Sequence, residues 1–281
     1  MTINVRGKLF DLSQPQVMGI LNVTPDSFYA DSRKQTGADI RQRVEEIVSE
    51  GGTMIDLGAY STRPGASDIP PQEEMRRLAL GMSIIHQAAP HLPVSIDTFR
   101  ADVARMAIEE LGADIINDIS GGGLDPQMFH TVSRLGVPYI LTYNHVDPSR
   151  SPNPSPTAGK EPENPFRYFS AKIQSLRDLG QKDIILDPGY GFAKTIEQNY
   201  ALLRHQEDLR IFNLPLLVGI SRKSMIYRPL GITPQDALLG TTVLHTIALM
   251  KGANILRVHD VKACVETIKL FTLTIKTPEP C

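Results

Sequence analysis

The sequence has only two cysteines in 281 residues, Cys264 and Cys281. That is too few for a disulfide framework, and the pair makes no zinc motif. A reducing compartment, the cytoplasm, is the expected location. Neither sign of charge is in excess. The 29 Lys and Arg against 31 Asp and Glu leave a net charge of −2, which argues against a broad nucleic-acid-binding face and leaves room for a local basic cluster. Long apolar runs are missing too. No stretch approaches the ~18 residues needed to cross a bilayer, and the stretch Met1 to Gln16, MTINVRGKLFDLSQPQ, has no apolar core of signal-peptide length. The glycine-rich fingerprint that opens the first helix of a dinucleotide-binding fold is also absent. Neither GGG at Gly121 to Gly123 nor GYGFAK at Gly189 matches its spacing.

What is present is a rhythm. Eight short apolar runs recur: Val17 to Val23, Met54 to Gly58, Pro93 to Asp97, Ile115 to Ile119, Pro138 to Tyr143, Ile184 to Asp187, Leu216 to Ile220 and Ile255 to His259. They are β-branched and lack clean alternation, as expected of strands buried on both faces. Amphipathic segments such as ADIRQRVEEIVSE and EEMRRLALGMSIIHQAA lie between them, and several end at glycine, the expected residue past a helix C-terminus. Eight strand–helix units in a chain of this length predict an α/β protein, a (β/α)8 TIM barrel, as one domain over 1–281 with the barrel at about 17–271. The stretch Asp147 to Pro165 is rich in proline and serine without periodicity. It reads as a long, mobile βα loop, since strands continue in the same rhythm on both sides.

In such barrels chemistry gathers at the C-terminal ends of the strands. Nearly every run ends in a group that can hydrogen-bond or titrate: Asn22, Asp56, Asp97, Asn117 with Asp118, Tyr143-Asn144-His145, Asp187, Ser221-Arg222-Lys223, and Arg257 with His259. Any single Asx or Ser can equally be a helix cap or turn residue. Charged arginine, lysine and histidine cannot accept from helix N–H groups, so the last two sets point to function. Arg257 and His259 are two apart on the eighth strand and share a side, where a guanidinium and an imidazole suit a phosphate or pyrophosphate. Asn22, on the neighbouring strand, offers an amide oxygen to a Mg²⁺ that takes its other ligands from phosphate and water. Asp97, Asn117 and Asp187 suit a flat, nitrogen-rich ligand with N–H donors.

The stretches GILNVTPDSF, STRPGA, SIDT, NDISGG, LDPGYGFAKT, GISRKSM and RVHDV resemble, in the same order, the signatures of the dihydropteroate synthase family. The resemblance runs from Val17 to about Phe271. It implies a pterin-binding TIM barrel that joins 6-hydroxymethyl-7,8-dihydropterin pyrophosphate to p-aminobenzoate, giving 7,8-dihydropteroate and pyrophosphate for folate synthesis. It also implies residue roles. Asn22 would bind Mg²⁺ with the pyrophosphate, whose oxygens Thr62, Arg63, Arg257 and His259 would hold. Asp97, Asn117, Asp187 and Lys223 would hold the pterin. Pro64, Phe192, Lys223 and Ser224 would border the p-aminobenzoate site, with Ser221 and Arg222 close by. Asp97, Lys223 and Arg63 are the residues expected to carry catalysis. Family members are usually homodimers.

One region departs from the family pattern. After the fifth run the family commonly reads LMHMQG, whereas this chain has LTYNHVDPS, which puts an apolar pterin contact in question. Tyr60 also stands where a glutamate is common, and no role is assigned to it. The nearest rival is a pterin-binding methyltransferase barrel, which should lack the STRPGA loop. A rival of another class is an aldolase with Lys223 as Schiff base, and a third is a pterin-binding homologue with impaired catalysis.

Overall fold

The computed structural model describes residues 1–24, 37–60, 68–144 and 164–276. Two strands, β1 (Thr2–Val5) and β2 (Lys8–Asp11), pair antiparallel. They join through Arg6 and Gly7, both at positive φ, the two-residue hairpin turn whose twist suits antiparallel strands. This hairpin was not foreseen from the sequence. Arg6 is held in its unfavourable conformation by Asp114, with Nε 2.6 Å and Nη2 2.8 Å from the carboxylate.

Eight parallel strands follow: β3 (Gln16–Asn22), β4 (Met54–Gly58), β5 (Val94–Asp97), β6 (Ile115–Asp118), β7 (Tyr139–Thr142), β8 (Ile184–Asp187), β9 (Leu217–Val218) and β10 (Ile255–Val258). Their order is β8-β7-β6-β5-β4-β3-β10-β9. A parallel bridge from Leu186 to Leu216, with Leu186 N 2.8 Å from Pro215 O, joins the two ends of this order. The barrel is therefore nearly closed, as eight strand–helix units predict.

The helices are α1 (Gly37–Ser49), α2 (Pro71–Ala88), α3 (Ala101–Glu109), α4 (Met128–Leu135), α5 (Pro165–Asp178), α6 (Ile196–Arg204), α7 (Ser224–Leu230), α8 (Leu238–Met250) and α9 (Val261–Lys276). Their ends are written in the sequence. Pro71 opens α2, with Glu73 and Glu74 in its first turn facing the positive end of the dipole. Thr195 and Gln198 form a reciprocal capping box on α6. Gly136 ends α4 in the left-handed region.

The strands explain where the site sits. Alternate side chains point to opposite faces. One face packs under the helices through Val17, Leu21, Ile55, Leu57, Ile116, Leu141, Leu186, Leu256 and their neighbours. The other face turns into the barrel. There Met18, Met54, Ile115, Ile140, Ile185, Leu217 and Ile255 form a separate buried cluster, which the hairpin closes from below with Ile3, Val5 and Leu12. Two residues further along these seven strands, on the same face, stand Ile20, Asp56, Asn117, Thr142, Asp187, Gly219 and Arg257. An apolar plug below and a largely polar floor above thus come from one period-two pattern.

Candidate active site

The polar floor is tied together by charge. Arg257 donates from Nε to Asp56 Oδ2 at 2.6 Å and from Nη2 to Asp97 Oδ2 at 2.9 Å. Asn117 Nδ2 donates to the same Asp56 oxygen at 3.2 Å. Lys223 follows the end of β9, and its Nζ meets Arg257 over Gly219: a Cβ there would lie 3.9 Å from Lys223 Nζ and 4.0 Å from Arg257 Cδ. Lys223 donates to the Tyr190 carbonyl, and its Nζ lies 4.3 Å from the centre of the Phe192 ring. The structure therefore brings together Asp97, Asn117, Arg257, Lys223 and Phe192, with Asp187 close enough to act on the Lys223 charge.

Burial sets the charges here. It pushes the Asp97 carboxyl up to about 7, against the pull of Arg257 and with Asp56 repelling in the same sense as burial. Asp187 is also raised by burial, with Lys223 opposing. Burial lowers the Lys223 ammonium to about 8, while Asp187 works to keep it charged. For Arg257 burial works against the charge, but the attraction of Asp56 and Asp97 outweighs it.

Several buried atoms in this floor lack a hydrogen-bond partner among the described residues: Asp56 Oδ1, Asn117 Oδ1 and Thr142 Oγ1. Unpaired buried polar atoms are rare and call for an explanation. A ligand edge carrying N–H donors would satisfy these oxygens. Thr142, where the family pattern is apolar, presents a hydroxyl instead.

The pyrophosphate and p-aminobenzoate residues divide. Thr62, Arg63 and Pro64 lie outside the described residues, as does His145. So does the stretch 147–163, the main part of the expected mobile loop. His259 does not enter as a cation. Burial first, then the Arg257 charge, lowers its imidazole to about 4, so at neutral pH it is a neutral ring, with Nδ1 3.2 Å from Ser221 Oγ. Arg222 is turned elsewhere. Its Nε and Nη2 grip Asp260 at 2.8 and 2.7 Å, and its Nη1 donates to the Pro234 and Gln235 carbonyls. Ser224 opens α7 directly after Lys223.

Asn22 ends β3 at the same mouth. A Cβ on Gly58 would lie 3.0 Å from Asn22 Oδ1 and 3.8 Å from Asp97 Oδ2, so the amide and the carboxylate approach each other across β4 where a side chain would crowd the amide. Among the described residues no group of three or more His, Cys, Asp or Glu is placed to hold a metal ion. One amide oxygen with no acidic cluster fits a Mg²⁺ that arrives with pyrophosphate and keeps waters, not one held in an all-protein cage.

Two contributors were missed in the sequence. Asp56 was seen only as a strand end, because its partners Asn117 and Arg257 are 61 and 201 residues away. Lys194 sat unassigned inside LDPGYGFAKT, yet its Nζ bonds three backbone carbonyls at the edge of the site.

Comparison with known proteins agrees with this geometry. The family model for pterin binding enzymes matches residues 18–259. The chain is 37% identical over 281 residues to the dihydropteroate synthase of Escherichia coli K12, covering 99% of this chain and 98% of that one. It superposes on the Yersinia pestis dihydropteroate synthase solved with a sulfonamide drug complex at a TM-score of 0.88, with 37% identity over 98% of this chain and 99% of the other. The Xanthomonas albilineans dihydropteroate synthase solved with 4-aminobenzoic acid superposes at 0.87, with 32% identity and 99% of both chains covered. Fold and site together define a pterin-binding barrel enzyme. Within that class, the chain belongs to the dihydropteroate synthase family.

Proposed function

We propose that this chain is a transferase that condenses 6-hydroxymethyl-7,8-dihydropterin pyrophosphate with p-aminobenzoate, forming 7,8-dihydropteroate and pyrophosphate for folate synthesis. The observation that carries the reading is the set of buried oxygens on Asp56, Asn117 and Thr142 left without partners, beside the carboxylates of Asp97 and Asp187 and the cations of Arg257 and Lys223. A pterin edge has the N–H donors to satisfy them.

In this reading Asp97, Asn117, Asp187 and Lys223 hold the pterin. The bond from its methylene carbon to the pyrophosphate oxygen breaks, the p-aminobenzoate nitrogen bonds to that carbon, and the amine gives up a proton. Positive charge developing on the pterin is stabilised by Asp97, and negative charge on the leaving group by Arg257, with Thr62 and Arg63 assigned to the same task by resemblance. This is fixed electrostatic stabilisation at both ends of one breaking bond, and no residue acts as a nucleophile. His259, neutral, hydrogen-bonds the pyrophosphate and does not add charge. Asn22 would hold Mg²⁺, which when bound would supply further positive charge to the leaving group. Pro64, Phe192, Lys223 and Ser224 border the p-aminobenzoate, with Ser221 close by. Arg222 supports them indirectly, by fixing the turn before Lys223 on Asp260.

A homodimer fits the outer surface. The groove between α8 and α9 is lined by Leu239, Thr242, Met250, Leu270 and Ile275, and Leu239 and Met250 are 77% and 70% exposed. A second copy covering this face would remove that apolar area from water. Among the described residues no helix is long and apolar enough to cross a membrane, and Cys264 is a buried free thiol. Both suit a cytoplasmic enzyme of small-molecule substrates.

The test is Lys223→Ala in a pyrophosphate-release assay with and without Mg²⁺. Loss of one charged hydrogen bond should cost on the order of 2 kcal/mol, about 30-fold in kcat/KM. Near-parental turnover would remove Lys223 from the reaction.

A further inference from the structure

The segment from Asp187 to Lys194 leaves β8 and doubles back through left-handed residues, with φ of 67° at Gly189, 81° at Gly191 and 46° at Ala193. A Cβ on Gly189 would lie 2.3 Å from the Tyr143 carbonyl oxygen, so this turn rests directly on the end of β7. Its tip carries Phe192. A conformation of this kind persists only where its surroundings determine it.

Two lysines provide that determination. Lys223 comes from the barrel interior to the Tyr190 carbonyl. Lys194 lies outside the strand ring, beside Phe166 of α5 and Leu202 of α6. Its Nζ donates to Tyr143 O at 2.8 Å, Gly189 O at 2.9 Å and Phe192 O at 3.2 Å. An ammonium has three protons, and each has a carbonyl. The Tyr143 ring covers the same ammonium, 4.5 Å from its centre. Asn199 holds the middle of the turn, its Oδ1 2.7 Å from Gly191 N, while Lys194 holds both ends and ties them to β7.

We propose that Lys194 is a positioning residue that keeps Phe192 in place for p-aminobenzoate once Lys223 is engaged by the pterin. This rests on the pterin role given to Lys223 above. Lys223 serves the turn and the pterin with one ammonium. When the pterin draws it, the Lys223 ammonium is shared between the ligand and the Tyr190 carbonyl, and Lys194, which burial lowers to about 7, is the second amine that ties the turn to its neighbour. The Tyr143 ring of the divergent LTYNH segment belongs to this device, covering Lys194 from the β7 side.

Lys194→Met tests it. The pterin Kd, titrated with pterin alone, should stay within about twofold of the parent, while KM for p-aminobenzoate rises about tenfold or more. In a Phe192→Ala background the same substitution should change that KM by less than about twofold, because Lys194 acts through Phe192. Amide exchange over 188–193 should match the parent without ligand and rise in the variant at saturating pterin. An unchanged p-aminobenzoate KM, an equal rise in the Phe192→Ala background, or parallel weakening of both substrates would overturn the proposal. If Lys194→Met does not fold, Lys194→Gln, which keeps two donors, takes its place in the same comparison. A parent chain that forms no dihydropteroate would count against the enzyme reading, whereas an active Lys194 variant with a parental KM would count against Lys194 alone.

Discussion

Arg257 and Asp97 meet across the barrel at 2.9 Å from positions 160 residues apart. The same guanidinium holds Asp56 through Nε. One arginine therefore fixes both carboxylates in the floor of the barrel.

Arg257→Met should expose this dependence. It leaves the fully buried Asp56 and the mostly buried Asp97 without their cation. Breaking a buried pair on one side costs about 3–5 kcal/mol, so the melting temperature should fall sharply. Asp56→Asn added to Arg257→Met should restore part of the loss. A melting temperature equal to the parent's would show that the pairing contributes nothing to the fold.

Thr142→Val changes almost no volume and removes the hydroxyl whose Oγ1 is buried and unpartnered. Without ligand, stability should hold or rise by about 1 kcal/mol, because an unsatisfied group is lost. Pterin affinity should fall severalfold if the hydroxyl meets the ligand. Unchanged affinity, measured by calorimetry, would place Thr142 outside the pterin contact.

The free-enzyme profile of kcat/KM for pterin pyrophosphate should be bell-shaped. Asp97, raised to about 7 chiefly by burial, must be ionised to accept N–H donors, so activity rises through that pH. Lys223, lowered to about 8 by burial, must be protonated to donate, so activity declines above it. Lys223→Arg should flatten the alkaline limb. A parental profile without either limb would separate these two groups from catalysis.

Stability should also depend on acid through a residue outside the site. Burial lowers the His245 imidazole to about 4, against about 6.5 in an unfolded chain. Between those values the unfolded state binds the extra proton. The contribution of neutral His245 is therefore complete above about pH 6.5 and is lost as pH falls toward 4, on the order of 3 kcal/mol at most. Comparing His245→Asn with the parent isolates it from the opposing carboxylates, and the variant's stability should fall less steeply over this window. Parallel curves would contradict the assignment.

The eight strands were legible because each is a short apolar run closed by a polar residue, and the fold repeats that pattern once per strand, eight times. The hairpin was not, since Ile3, Val5 and Leu12 are too few to stand out and their purpose, plugging the barrel, depends on the floor they meet. Asp97, Asn117, Asp187 and Lys223 could be named from motifs. Their mutual arrangement could not, because the link through Asp56 and Arg257 exists only after the barrel closes. Arg222 is a further case: its bonds to Asp260, 38 residues away, could not be read from the motif that contains it.

The most direct measurement of the central claim is product formation by the purified chain. Supplied with 6-hydroxymethyl-7,8-dihydropterin pyrophosphate, p-aminobenzoate and Mg²⁺, it should release pyrophosphate and form 7,8-dihydropteroate in equal amounts, and Asp97→Asn should lose most of that turnover while keeping the parental fold. Pyrophosphate release without dihydropteroate, or full turnover by Asp97→Asn, would contradict the account.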